Sequence, residues 1–157
     1  MKTTLLMTIC LLVVLLQGCS YLTISSNSNT LGIETGKVEN NQLFGVGILY
    51  AQHDDSYEGF TEVKRGNELS VYGKYGIELI RNGGLFLSAF GGVSFCEETK
   101  VISFYHQDDY SYYDEKEGYV LYPIFGIGVS YVQKDGVVIS IDHSNRHGTT
   151  FGLGWRF

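Results

Sequence analysis

Proline is almost absent from this 157-residue chain, with Pro123 the only one. Cysteine is scarce too: Cys10, Cys19 and Cys96 give neither a disulfide framework nor a zinc-ligand spacing. Basic residues are outnumbered, 11 Lys and Arg against 17 Asp and Glu, for a net charge of −6. That balance argues against a nucleic-acid partner. Long apolar runs are missing except at residues 5–16, and that run falls short of the roughly 20 residues a membrane-crossing helix needs. No cofactor and no metal is expected from this inventory. What is present in quantity is Gly (20), Tyr (12) and Phe (9). Glycine and aromatics in short alternating runs belong to barrels and sandwiches rather than helical domains.

The N-terminus, MKTTLLMTICLLVVLLQGCS, carries Lys2 ahead of the apolar run and reads as an export signal over residues 1–18. The stretch Leu16-Gln17-Gly18-Cys19 resembles a bacterial lipobox, which makes Cys19 the candidate lipidated first residue of the mature chain. Gln17 departs from that motif, and ordinary signal-peptidase cleavage within residues 18–20 is the other reading. In that case a Cys19–Cys96 bridge stays open. Residues 19–157, about 140 in number, are the size of one domain.

Alternation runs through most of that domain. A strand sends successive side chains to opposite faces. In TTFGLGWRF, the chain's last nine residues, Phe151, Leu153, Trp155 and Phe157 share one parity, and Thr150, Gly152, Gly154 and Arg156 the other. Residues 136–145 set Val137, Ile139 and Ile141 against Ser140, Asp142 and Ser144. Residues 119–132 set Leu121, Phe125, Ile127, Val129 and Tyr131 against Tyr122, Gly126, Gly128 and Ser130. In residues 85–95, Leu85, Leu87, Ala89, Val93 and Phe95 oppose Phe86, Ser88, Phe90, Gly92 and Ser94. In residues 68–80, Leu69, Val71, Tyr75, Ile77 and Leu79 oppose Glu68, Ser70, Tyr72, Lys74 and Glu78. Phe44, Val46, Ile48 and Tyr50 oppose Gly45 and Gly47, while Leu31 and Ile33 oppose Glu34. The stretch 21–27, YLTISSN, completes a set of eight.

One face is apolar and aromatic. The other mixes small residues and Tyr with Glu34, Glu68, Lys74, Glu78, Asp142 and Arg156. A soluble sandwich would bury the first face; a membrane barrel turns it to lipid and keeps the second inside. The export signal and the aromatic ending favour the barrel. Connections agree: NNQ, RNGG and QKDG are tight turns by composition, whereas residues 54–67 and 96–118 are long connections. Short and long alternate, as periplasmic turns and outer loops do. The expected fold is therefore all-β, an antiparallel up-and-down eight-stranded transmembrane barrel in the outer membrane of a Gram-negative bacterium.

The chain resembles small eight-stranded bacterial outer-membrane barrels of the opacity-protein type. The ending Gly154-Trp155-Arg156-Phe157 looks like their terminal aromatic signal, which makes Trp155 and Phe157 the candidate insertion signal, read by the barrel-assembly machinery. Outer-membrane lipid and lipopolysaccharide are the partners this implies. Eight strands enclose a lumen that side chains can fill, so Lys74 and Arg156 are expected to pair with Glu34, Glu68, Glu78 or Asp142 rather than to line a pore. An ion or proton path is the functional alternative.

Two segments suggest further roles. Asp142-His143-Ser144-Asn145, with His147 behind, has the residue types of a hydrolase and weakly resembles the His-x-Ser-Asn motif of lipid A deacylase barrels. Aligned on Ser144, however, that family's His falls on Asp142, His143 has the opposite parity to Ser144, and residues 148–157 contain no acid. The plain reading is a polar strand end entering a turn. The second segment, residues 101–119, carries Tyr105, Asp108, Asp109, Tyr110, Tyr112, Tyr113, Asp114 and Glu115. Tyrosine provides contact area at low entropic cost, which suits a binding loop for an unknown surface ligand. Its first part, VISFYH, is a candidate hairpin above the membrane, and a solvated acidic loop is the alternative to binding. The function expected is structural or surface-binding; a lipid A-modifying hydrolase using Ser144 is the alternative.

Overall fold

A computed structural model describes residues 20–53, 63–106, 109–134 and 136–157. The candidate signal, Cys19 and Asp108 lie outside the described residues. Eight strands close into one antiparallel barrel in chain order: β1 (Tyr21–Ser26), β2 (Thr30–Glu39), β3 (Gln42–Gln52), β4 (Val63–Glu78), β5 (Leu85–His106), β6 (Asp109–Val132), β7 (Val137–Ser144) and β8 (Gly148–Arg156). Each strand pairs with its sequence neighbours, and β1 closes on β8 with Tyr21 opposite Arg156 and Ser26 opposite Phe151. YLTISS is thus the first strand, and the barrel has no free edge between β1 and β8.

Turn chemistry sets the register. Asn40 and Asn41, both at positive φ (51° and 64°), make the two-residue connection between β2 and β3. Such turns favour Asn because its short polar side chain tolerates the left-handed region. Asn82 and Gly84, also at positive φ (59° and 72°), turn the chain within the longer connection between β4 and β5.

The two faces segregate as alternation requires. Val71, Ile77, Ile127 and Leu153 are 44%, 50%, 64% and 65% exposed, while Glu34, Glu68, Ser70, Lys74 and Asp142 on the other parity are buried. Large apolar side chains cover the outside of every strand. Water-soluble monomers keep their largest apolar patch to about 300–600 Å², and a continuous apolar girdle around a closed barrel greatly exceeds that. The fold is that of a transmembrane barrel, with lipid as the solvent of its outer face. Trp155, Phe157 and Tyr131 lie toward the end with the tight turns, and Tyr50, Phe95 and Tyr119 toward the other. Aromatic rings suit the two headgroup levels.

Side chains from opposite walls cross the lumen. Tyr21, Leu43, Phe86, Val132 and Val138 pack together at the terminal end, joining β1 to β5. Farther along, Leu49, Tyr72, Phe90 and Ile124 form a second cluster. Glycines leave room for these rings: a Cβ on Gly47 would collide with the Tyr72 ring, and one on Gly126 with Phe90.

The long connection over residues 96–118 is not a loop. β5 and β6 continue through it as a hairpin, with Cys96 opposite Val120 and His106 opposite Asp109. Val, Ile, Phe and Tyr favour strands wherever a partner is adjacent, and this segment folds back on itself. The register shifts where Glu98 faces Gly118 and Thr99 faces Lys116, so the extra residue, Glu117, lies on β6, next to Gly118 at φ +98°.

Candidate functional site

Two polar networks occupy the lumen. The deeper one centres on Lys74 of β4. Its ammonium donates to Glu34 Oε2 of β2 at 2.9 Å and sits 2.8 Å from Asp142 Oδ1 of β7. Tyr21 and Tyr72 donate to the two oxygens of Glu34 at 3.0 and 2.9 Å. Lys74 therefore satisfies two of the acids, as paired buried charges require. Arg156 does not take part: Glu34 already receives Lys74, Tyr21 and Tyr72, so the expected pairing with Arg156 gives way to Lys74. Glu78 accepts from the Gly84 backbone N–H at 2.8 Å and caps the β4–β5 turn.

The second network lies near the mouth opposite the tight turns and centres on Glu68, which is fully buried. Arg146 grips it with two bonds, Nε to Oε1 and Nη2 to Oε2, each 2.8 Å. A two-bond fork of this kind is the strong form of a carboxylate contact. His53 Nε2 lies 2.8 Å from Oε2, and Ser94 donates to Oε1. Ser70 donates to Ser94 Oγ at 2.8 Å, and His147 Nε2 lies 2.7 Å from Ser70 Oγ. With the Ser70 proton spent on Ser94, His147 Nε2–H is the donor to Ser70. The chain therefore runs His147 to Ser70 to Ser94 to Glu68 and ends on the carboxylate. His147 Nδ1 is then a buried acceptor without a hydrogen-bond partner among the described residues. Burial pushes the His147 imidazole below its ordinary range, and Glu68 acts in the opposite direction.

Local sequence explains the placement. The shift between Arg65 and Glu68 on β4 brings Glu68 opposite Cys96. Asn145 accepts from Phe125 N–H at 2.9 Å and donates to the Pro123 carbonyl at 3.1 Å. It supplies the ladder bonds that β6 loses where β7 ends. Asn27 donates to the His147 carbonyl at 2.8 Å, which ties the β1–β2 turn to the β7–β8 turn. Arg146 and His147 are thereby held over the lumen. Arg146 also lies 4.2 Å from the Tyr122 ring centroid, and Tyr122 donates to Glu98 at 2.6 Å.

The hydrolase residues are not assembled around a nucleophile. Ser144 points into the lumen and accepts from the His147 backbone N–H at 2.9 Å. His143 is on the outer face, with Nδ1 3.0 Å from Thr149 Oγ1, and Asp142 is bound to Lys74. His147 does fold back inward, but its ring serves Ser70. No imidazole reaches Ser144 Oγ among the contacts described. Trp155 and Phe157 are exposed on the outer face of β8 and its end. In the hairpin, Tyr105 stands opposite Tyr110, Tyr112 opposite Ser103, Tyr113 opposite Ile102, Asp114 opposite Val101 and Glu115 opposite Lys100. Two residues of the network, Arg146 and His53, were not singled out by sequence reasoning. Both sit just beyond strand ends, where face parity no longer applies.

No family model matches the chain. No curated protein matches it either. Among solved structures, it is similar to the crystal structure of the N-terminal β-barrel domain of OprF from Pseudomonas aeruginosa, at 15% identity and a TM-score of 0.45, over 87% of this chain and 94% of that one.

Proposed function

We propose that the chain is an outer-membrane barrel with a closed, non-conducting lumen, and that its role is structural or surface-binding through the loops on the far side from its tight turns. One observation carries this reading: a continuous apolar girdle surrounds a lumen crossed by Lys74, Arg146 and two aromatic clusters. On this reading the tight turns face the periplasm, Cys19 is the lipid anchor, and Trp155 and Phe157 serve the assembly machinery. The β5–β6 hairpin with Tyr105, Tyr110, Tyr112 and Tyr113 reaches outward beside lipopolysaccharide.

The test combines fractionation with gel mobility before and after boiling. Outer-membrane recovery and a heat-dependent shift are expected. Val71→Arg should cost about 2–4 kcal/mol at mid-membrane. A harmless Val71→Arg, or a soluble unshifted protein, would overturn the reading. Proteoliposomes should stay impermeable to small sugars; swelling would show an open lumen. Lipid A from expressing cells should be the same with the wild type and Ser144→Ala, since Ser144 is buried and has no imidazole partner among the described residues.

A further inference from the structure

We infer that the barrel mouth holds a binding site for one divalent transition metal of the zinc type, formed by His53, Glu68 and Cys96. The ligand atoms of these three residues lie within 4.8 Å of one another. They come from three adjacent strands: His53 just past the end of β3, Glu68 on β4 and Cys96 on β5. Glu68 and Cys96 are direct cross-strand partners, and Ala51, two residues before His53, is the partner of Glu68 on β3. Glu68 and Cys96 are both buried on the inner face, and the His53 ring, just past the strand end, turns to the same spot. His53 Nε2 is already 2.8 Å from Glu68 Oε2. Imidazole, carboxylate and thiolate together match zinc's preferences, at bond lengths of about 2.0–2.3 Å, and do not suit the oxygen-seeking Mg²⁺ or Ca²⁺. Glu68 and Cys96 are fully buried whereas His53 is partly exposed, so His53 is the side of the site that meets solvent.

Arg146 holds Glu68 in the metal-free state and is the competitor. Tyr122 gives it an alternative, since its guanidinium already lies over that ring. Binding exchanges one counter-charge on Glu68 for another: Zn²⁺ bonds His53 Nε2, a Glu68 oxygen and Cys96 Sγ, and the Cys96 S–H proton leaves to solvent. His53 carries its remaining proton on Nδ1.

The experiment uses folded protein purified from membranes in detergent, with folding of every variant checked by heat-dependent mobility. Co²⁺ replaces Zn²⁺ as an optical probe, and Zn²⁺ is titrated by calorimetry. One metal per chain is expected, together with a thiolate-to-cobalt charge-transfer band that excess Zn²⁺ abolishes. Cys96→Ser should remove the band. His53→Gln should weaken Zn²⁺ binding at least tenfold, and Mg²⁺ should not compete. Arg146→Met should bind Zn²⁺ more tightly and gain more thermal stability from it than the wild type does. Absence of the band in folded wild-type protein overturns the proposal, as does a band or affinity unchanged in Cys96→Ser and His53→Gln. The wild-type band needs no variant to fold, so it decides the matter even if substitutions destabilise the barrel.

Discussion

Replacing Lys74 by Met tests the deeper network most directly. The Lys74 side chain has no solvent exposure and lies within 2.9 Å of both Glu34 and Asp142. At an effective dielectric of 20, each such contact is a gross attraction of about 6 kcal/mol. Desolvation of three charged groups opposes it. What decides the outcome is what remains after the substitution: two buried carboxylates sharing one site with no cation. Breaking a buried pair in this way costs about 3–5 kcal/mol, more than a hundredfold in the folded-to-unfolded ratio. The triple change Lys74→Met, Glu34→Gln and Asp142→Asn removes all three charges and should recover most of that loss. Urea unfolding in lipid vesicles, followed by Trp155 fluorescence and gel mobility, measures both. A loss below about 1 kcal/mol for Lys74→Met alone, or a triple variant no better than the single, would refute the argument that the triad is a mutually compensating unit.

Three further outcomes follow from the geometry. A Cβ on Gly92 would overlap the Val71 carbonyl, whereas one on Gly73 would meet nothing within 4 Å; Gly92→Ala should therefore abolish folding in membranes while Gly73→Ala leaves urea stability unchanged. His147 binds its proton less readily when folded, chiefly through burial, so the unfolded chain takes up protons first as pH falls through about 6.5. Stability is then flat above neutrality and falls in acid until the folded imidazole also titrates, by up to about 1.4 kcal/mol per pH unit; His147→Gln should flatten that slope in urea midpoints taken at pH 7.5 and 5.5. Ile24 and Leu153 are outward-facing partners across the closing seam, so Ile24→Cys with Leu153→Cys should cross-link within single folded chains, since facing Cα atoms fall inside the 4.4–6.8 Å range of disulfides; no cross-link would remove Tyr21–Ser26 from the barrel.

The strands were legible because lipid and lumen demand opposite chemistry at every second residue. Leu69, Val71, Tyr75 and Ile77 against Ser70, Tyr72 and Lys74 state that demand, with Gly73 as the gap on the outward side. The first strand was harder to read: Leu22 and Ile24 are its only large outward residues, and its partner on one side lies at the other end of the chain. Lys74 was foreseen as a partner for buried acids because it shares their parity. Arg146 was not, since it lies in a turn and meets Glu68 from 78 residues away. Parity says nothing in turns, and which residue reaches across a lumen depends on strand stagger, which no local pattern reports. Arg156 shares the inward parity as well, but Glu34 is taken by Lys74, Tyr21 and Tyr72, a choice among partners that parity cannot make. The hairpin beyond Cys96 was only half legible because acids interrupt the alternation of residues 108–117.

Lipid cannot choose the register of these strands. It is non-directional, and a slip by two residues between neighbours returns every apolar side chain to the outside. Such a slip would move a residue by about 6.6 Å along its neighbour, which carries Lys74 out of reach of Glu34 and Asp142 and sets Tyr72 against something other than Gly47. The polar lumen therefore supplies the discrimination that the outer face lacks. Each buried charge is an error signal for the wrong register, as is each glycine opposite a large ring. The triply neutral variant should then keep its stability but lose uniqueness. With Val71→Cys added, cross-linking to Ile48→Cys, its native partner, should be accompanied by cross-linking to Val46→Cys, a diagonal neighbour whose Cα lies too far away in the native register, at roughly 7–8 Å. If the neutral variant links only to position 48, steric pairing of glycine with aromatic rings is sufficient, and the ion triad serves stability alone.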